Sequence, residues 1–312
     1  MSEITVRTAT LDDAAAITAI HTSHIERWQR LNAQGQVEDV PYAKLTVYER
    51  WLHGGPWMTV EMCAVYLTHL LRGAGTPLVA EIDGAVLANA EVYRSVEPKP
   101  FGDHLNVSVL HVHRDHTGAG LGSALLGRIL ALGRELGCAR VTITQPEAPD
   151  FYARFGFRAI AGLQNMTFPV KSGQVFYQAT PHPADDPAQI QGWMMPLGRY
   201  QSARQEWVTR WADLWIGVPE IQARRIERFR FTMGPANFFV MYEASSYDPR
   251  RAQVRVWTST MLTGPMLTAI SDRAHKIGFR RLDAYVVSSQ PIPLGPDAEP
   301  DGYPLDVWGV EL

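Results

Sequence analysis

A chain of 312 residues is long enough for two domains of ordinary size, and its apolar share of 46% is enough for a large core. Lysine and arginine number 29 against 32 acids, a net charge of −3 with no long basic block, which argues against nucleic acid as a partner. No apolar run approaches membrane-spanning length, the opening MSEITVRTATLDD lacks the apolar core of a signal peptide, and Cys63 and Cys138 are too few and too far apart for a disulfide framework; the expected setting is a reducing cytoplasm, away from membranes.

Ile4–Thr8 alternates as a short strand. Thr10 or Asp12 caps a helix whose apolar positions, Ile17, Ile20, Ile25, Trp28 and Leu31, fall near helical spacing. His21 and His24 read as partly buried surface of that helix. Residues 30–56 are polar and irregular, with Trp51 and Trp57 at their end, and Thr59–Leu71 reads as a second helix. Leu78–Ile82, Asp83-Gly84 and Ala85–Tyr93 form a predicted hairpin, because Asp-Gly supplies the positive φ angles of a tight turn; Glu91 lies on its second strand.

The most informative stretch is His111–Leu126, HVHRDHTGAGLGSALL. A strand at Val107–Val112 delivers the chain to it, and a helix runs on from about Ser123 to a C-cap at Gly137. Gly118, Gly120 and Gly122 let successive backbone N–H groups turn inward with no Cβ in the way. The helix N-terminus adds unpaired donors and the positive end of its dipole. Strand, glycines and helix together describe a cradle for phosphate oxygens. Two readings compete here. His111, His113, Asp115 and His116 fit the HxHxDH metal motif of the metallo-β-lactamase fold, where imidazoles and a carboxylate hold zinc. That fold needs a further His in a Gly-His-Thr setting, and neither His182 nor His275 has one.

The flanks favour the other reading. A strand at Arg140–Thr144 follows the helix, then QPEAPDFYARFGFRAI. VRTATLDDAAAITAIH, the hairpin, the glycine loop and this last segment resemble, in family order, the GNAT acyltransferase superfamily, whose loop reads V-x-P-x-x-R/Q-G-x-G-x-G and whose later segment reads N-x-x-A-x-x-x-Y-x-x-x-G-F. Here Gln145, Ala148, Tyr152, Gly156 and Phe157 stand at the later positions, and Thr117 stands where the loop usually has Arg or Gln.

The resemblance implies acyl transfer, usually of acetyl, from acetyl-CoA to an amine, with no metal. It implies that Thr117, Gly118, Ala119, Gly120, Leu121, Gly122 and Ser123 hold the pyrophosphate, with Arg114 or His116 as substitute contacts. Leu110, His111 and Val112 would offer backbone groups to the pantetheine arm, and Gln145 would approach the cofactor. Tyr152 would be the general acid for the leaving thiolate. Relatives often place a Glu base on the strand before the loop; Asn106 and Ser108 stand there, so Glu91 is the best carboxylate substitute and His111 the best imidazole. Residues 30–56 would line the acceptor pocket.

Lys171–Pro187 reads as a linker with a short strand at Val175–Thr180. Gln189–Trp215 and Pro219–Phe229 read as helices, the first with Trp207, Trp211 and Trp215 on one face, the second basic through Arg224, Arg225, Arg228 and Arg230. Strands follow at Phe238–Glu243 and Gln253–Ser259, then a helix at Leu262–Ile277 stopped by Gly278, then a strand at Leu282–Val287. This order repeats the first half at an offset of 141 residues, which carries Leu125, Leu126 and Ile129 to Met266, Leu267 and Ile270. It also carries Gly120 to Met261, Gly122 to Thr263 and Tyr152 to Pro293, so the repeat lacks both cradle and acid.

The expected architecture is therefore α/β (α+β): two GNAT-like domains, residues 1–170 and a degenerate copy at 175–312, each a mixed, mostly antiparallel sheet flanked by helices. The acceptor is a small-molecule or peptide amine, and a homodimer is compatible with the sequence. A non-catalytic acyl-CoA sensor or scaffold is the alternative of a different class.

Overall fold

The computed structural model describes residues 3–32, 34–212, 214, 219–222, 224–290 and 292–312. In chain order the first half forms β1 (Ile4–Thr8), α1 (Ala14–Thr22), β2 (Gln29–Leu31), β3 (Val37–Asp39), α2 (Val47–Trp51), α3 (Val60–His69), β4 (Thr76–Ile82), β5 (Ala85–Val96), β6 (Asp103–Val112), α4 (Leu121–Glu135), β7 (Arg140–Thr144), α5 (Pro149–Ala153) and β8 (Arg158–Pro169). The second half forms β9 (Gln178–Pro181), β10 (Met194–Leu197), α6 (Ala203–Glu206), α7 (Pro219–Gln222), β11 (Ile226–Met233), β12 (Ala236–Ala244), β13 (Arg251–Thr258), α8 (Gly264–Lys276), β14 (Arg281–Val287), β15 (Glu299–Pro300) and β16 (Leu305–Glu311). No helix among the described residues is long and apolar enough to cross a membrane.

The chain divides into two compact units. The first holds residues 1–93, 107–137 and 214–223, the second 94–106, 138–213 and 224–312. In the first unit the strand order is β1-β4-β5-β6. β1 and β4 run antiparallel, as do β4 and β5, and the β4–β5 turn places Asp83 at φ 50° and Gly84 at φ 80° as the Asp-Gly pair requires. Helix α4 buries Leu121, Leu125, Leu126 and Ile129 at helical spacing and ends at Gly137, φ 71°.

The second unit carries the order β7-β16-β8-β14-β13-β12-β11-β9. Its last four members repeat the first unit: β9-β11-β12-β13 mirrors β1-β4-β5-β6 in order. The core lies between these strands and α8, where Phe231, Phe238, Val240, Val254 and Val256 pack with Met266 and Ile270. In the ladder β7-β16-β8-β14, the final strand of each half lies beside the penultimate strand of the other. β16 pairs antiparallel with both β7 and β8, and β8 pairs antiparallel with β14. The compact units therefore do not follow the expected cut between 170 and 175, because strands from both sides of it share one ladder.

Several predicted elements differ. The first helix stops at Thr22, and the chain turns into the β2–β3 hairpin instead of continuing to Leu31. The helix expected at Gln189–Trp215 is interrupted: Met194–Leu197 is a strand, and the helical part begins after the Ser202 N-cap. Pro196 and Gly198 account for the break. Trp207 and Trp211 stack at 4.3 Å and are buried, whereas Trp215 lies outside the described residues. The basic helix expected at Pro219–Phe229 is a short turn followed by β11, in which Phe229 and Phe231 point inward and Arg230 outward, a period of two.

One buried ion pair anchors the segment after β10. Arg199, 1% exposed, donates from Nε to Glu97 at 3.2 Å, and its guanidinium lies 3.4 Å over the Phe101 ring. Glu97 also accepts from Ser95 Oγ and the Ala203 N–H, and Arg199 beside it holds its carboxyl below the usual range despite burial. Removing one partner strands the other charge. Arg199→Ala is expected to cost about 3–5 kcal/mol, read from the urea midpoint, and the double variant Arg199→Met/Glu97→Gln to recover much of it.

Candidate active site

Strand β6 ends at Val112, and His113 N–H donates to Leu87 C=O at 2.8 Å, which pins the chain to β5 as it leaves the sheet. A single 3₁₀ turn at Arg114–His116 follows, then Gly118 at φ 83° and Gly120 at φ 91°. A side chain at Gly118 would meet nothing within 4 Å, so glycine is needed there for its backbone angle; at Gly120 a Cβ would also touch Ile4 Cδ1 at 3.4 Å. Gly120 is the N-cap of the fifteen-residue α4, so the first-turn N–H groups at Leu121, Gly122 and Ser123 have no intrahelical acceptor. The loop from Thr117 to Gly120 is exposed. A bare, left-handed, donor-rich turn on a long helix fits a pyrophosphate. Thr117, in place of Arg or Gln, turns its hydroxyl back onto Arg114 C=O at 3.1 Å and stiffens the loop. Arg114 Nη2 lies 3.7 Å from the exposed Glu26. Val112 C=O accepts from His24 Nε2 at 2.8 Å, so that nitrogen carries the proton, and this carbonyl is already engaged.

Glu91 on β5 is 2% exposed. Trp57 Nε1–H donates to one oxygen at 2.6 Å, the Tyr93 hydroxyl donates to the other at 3.3 Å, and Tyr66 and Tyr93 hydroxyls meet at 2.7 Å. Burial outweighs these bonds and pushes the carboxyl from 4.5 to about 7. The Trp57 ring stacks on His21 at 5.0 Å, His21 packs on His111 at 4.7 Å, and His24 meets His111 edge-on at 5.6 Å. Burial, with the neighbouring His111 and His24, lowers His21 to about 3, so its ring is neutral. The sequence reading of His21 as partly buried helix surface is corrected: it is 5% exposed and sits inside the cluster that joins Glu91 to His111. Trp57, Tyr66 and Tyr93 were not singled out as site residues. The only local sign of them was aromatic residues flanking a buried acid.

Tyr152 and Gln145 belong to the second unit. Tyr152 on α5 is 5% exposed and packs edge-on against Phe151 and Phe157. Burial, with Glu147 nearby, raises its pKa well above the usual phenol value, so it stays a neutral proton donor. Gln145 is exposed and held at φ 49° by its N–H bond to Asp306 C=O at 2.7 Å. Asparagine, common at this place in the sequences it resembles, adopts that left-handed conformation more readily than glutamine. Asn106 is buried and donates to Gln201 Oε1.

The zinc alternative has no geometric support. His111 is packed against His21 and His24, His113 Nδ1 accepts from Asp115 N–H, and among the described residues no group of three His, Cys, Asp or Glu could hold a metal ion.

In the second half the corresponding place is filled. Ala139 and Arg280, 141 residues apart, donate to Asp103 and Arg250, which makes those two counterparts and Leu110–Val112 the counterpart of residues 257–259. β13 pairs with β14 only over Arg251–Gln253. Beyond that point β10 pairs with β13 (Leu197↔Val256, Met194↔Thr258), and Gly198 N–H donates to Tyr285 C=O at 2.8 Å. A Cβ on Gly198 would lie 2.4 Å from Val254 O, so only glycine passes between the two strands. The chain's own backbone thus occupies the edge of β13 beside β14.

Residues 38–157 match the model of the acetyltransferase (GNAT) family. This stretch is a GNAT domain, and family and fold together define an acyltransferase. The matched span takes in the hairpin, the glycine loop and the Tyr152 segment. Among solved structures, a GCN5-related N-acetyltransferase from Kribbella flavida is 14% identical and covers 99% of this chain and 70% of its own, with a TM-score of 0.60. A GCN5-related N-acetyltransferase from Anabaena variabilis is 10% identical over 98% of this chain and 72% of its own, TM-score 0.63. Eis1 from Mycobacterium abscessus is 13% identical over 99% and 73%, TM-score 0.55. At such identities the likeness shows the fold, and it extends over both halves. No curated protein sequence matches the chain.

The raised Glu91 pKa fixes a sign. Its charged form is penalised only in the folded state, so stability present below pH 4.5 declines as pH rises towards about 7. Glu91→Gln keeps a carbonyl for Trp57 and offers an amide to Tyr93 without that charge. The variant is expected to equal wild type near pH 4 and to exceed it increasingly up to pH 7–8, measured by urea unfolding across that range.

Proposed function

We propose that the protein is an N-acyltransferase that takes acetyl from acetyl-CoA and delivers it to an amine, with one working site, built on the glycine loop of the first half. The observation that carries this reading is the pair of left-handed glycines capping α4, a cradle that the second half lacks at Met261 and Thr263. Acetyl-CoA supplies the thioester carbon that the amine attacks. The loop N–H groups bind and orient the diphosphate. Glu91, poised near neutrality, accepts the proton the amine must lose, and the neutral His21 ring in the same cluster adds no positive charge there. Tyr152, held protonated by burial, donates to the departing sulfur. Support for these roles is the family match, the pKa directions and the order of motifs.

The decisive experiment is calorimetric titration with acetyl-CoA of wild type and of Gly120→Met, which copies the second half. Saturable binding at one site per chain, lost in the variant, is expected; absence of binding to wild type sinks the reading. Binding without release of coenzyme A in a screen of small and peptide amines would instead mark a sensor. Once an acceptor is found, Tyr152→Phe should lower kcat by roughly 100-fold with little change in the KM for acetyl-CoA, and kcat should fall below about pH 7 as Glu91 protonates.

A further inference from the structure

We propose that the cavity left where β13 and β14 part is a binding site for a small carboxylate, gripped by Arg210 with Tyr200, Tyr285, Asn165 and Gln253. The cavity measures about 220 Å³, below the roughly 300–1,000 Å³ of drug-sized pockets, which suits a small metabolite and excludes a coenzyme. It lies wholly within the second unit.

Its chemistry follows from which lining groups are already spent. Arg255 is saturated: Nε donates to Glu206 at 3.1 Å, Nη1 to Glu243 at 2.8 Å and Nη2 to Gln253 Oε1 at 3.0 Å. Glu243 is further paired with Arg224. Both oxygens of Asp283 accept from Arg251. The two carboxylates that line the cavity, Glu206 and Asp283, are thus each engaged by an arginine, Arg255 shared with Glu243 and Arg251 shared with Asp301. What remains unspent is of one kind. The Gln253 amide still has its N–H groups, because its oxygen is taken by Arg255. The hydroxyls of Tyr200 and Tyr285, the Asn165 side chain and the exposed Arg210 guanidinium make no hydrogen bond among the described residues. Burial raises both phenols, so they remain donors. Arg210 acts on Glu243 through space, lowering its carboxyl, but spends none of its guanidinium N–H groups on it. A partly open cavity that offers these donors and a guanidinium without a hydrogen-bond partner among the described residues, its carboxylates already engaged, selects an oxyanion of low charge, and the planar fork of Arg matches a carboxylate.

This site does not depend on acyl transfer, and its test reads binding alone. The full chain is titrated with acetate, malate, glutamate, citrate and inorganic phosphate by calorimetry and thermal shift. At least one carboxylate is expected to bind saturably, one per chain, with affinity roughly ten- to hundred-fold weaker in Arg210→Ala and reduced in Tyr285→Phe. Lys171→Ala, on a surface ion pair with Asp297 away from the cavity lining, should leave binding unchanged. No saturable carboxylate binding up to about 10 mM overturns the proposal, as does binding indifferent to Arg210→Ala or a site that takes phosphate in preference to every carboxylate.

Discussion

The ladder β7-β16-β8-β14 is the constraint on which the second unit depends. Each half ends in a strand that finds its partners in the other half's sequence: β16 lies between β7 and β8, and β8 lies between β16 and β14. A strand with both edges paired is far costlier to remove than an edge strand, because two rows of backbone donors and acceptors lose their partners together. The two halves are therefore not beads on a linker. Residues 171–187 connect them in sequence, but the pairing that specifies the fold spans more than a hundred residues, so the division that reads naturally from the repeat is not a division into separately stable pieces.

The first unit shows a different compromise. Among the described residues its most buried acid is Glu91, and no cation among them acts on its carboxyl. Trp57 and Tyr93 donate to it but do not compensate fully for lost water, which is why its carboxyl moves up to about 7. A structural acid would be expected to have an arginine, as Glu97 has Arg199. The contrast between these two buried glutamates separates a group kept charged for the fold from one kept near its titration point. The latter is what proton transfer at neutral pH requires.

Much of this was legible in the sequence wherever the governing physics is local. Asp83-Gly84, Gly137, Gly118 and Gly120 act through backbone angles of one or two residues and have the positive φ expected of them, whereas the helix starts at Leu121, ahead of Ser123, and takes Gly122 into its first turn. Order failed where two periodicities overlapped. The run IERFRFTM contains arginines at spacings that also suit a helix, and only the inward Phe229 and Phe231 reveal the strand. Long-range facts were invisible. The burial of His21 is set by Trp57 and His111, distant in sequence, and the placement of β10 between two strands leaves only one local trace, a glycine at position 198 with no room for a Cβ.

That trace bears on how the second half differs from the first. Two changes separate it from the first: the cradle glycines are replaced at Met261 and Thr263, and β10 pairs along the edge of β13. The first removes a way of binding phosphate. The second gives the backbone of β13 a partner beyond the point where it leaves β14. Restoring the glycines alone would leave β10 in place, with Gly198 bonded to Tyr285.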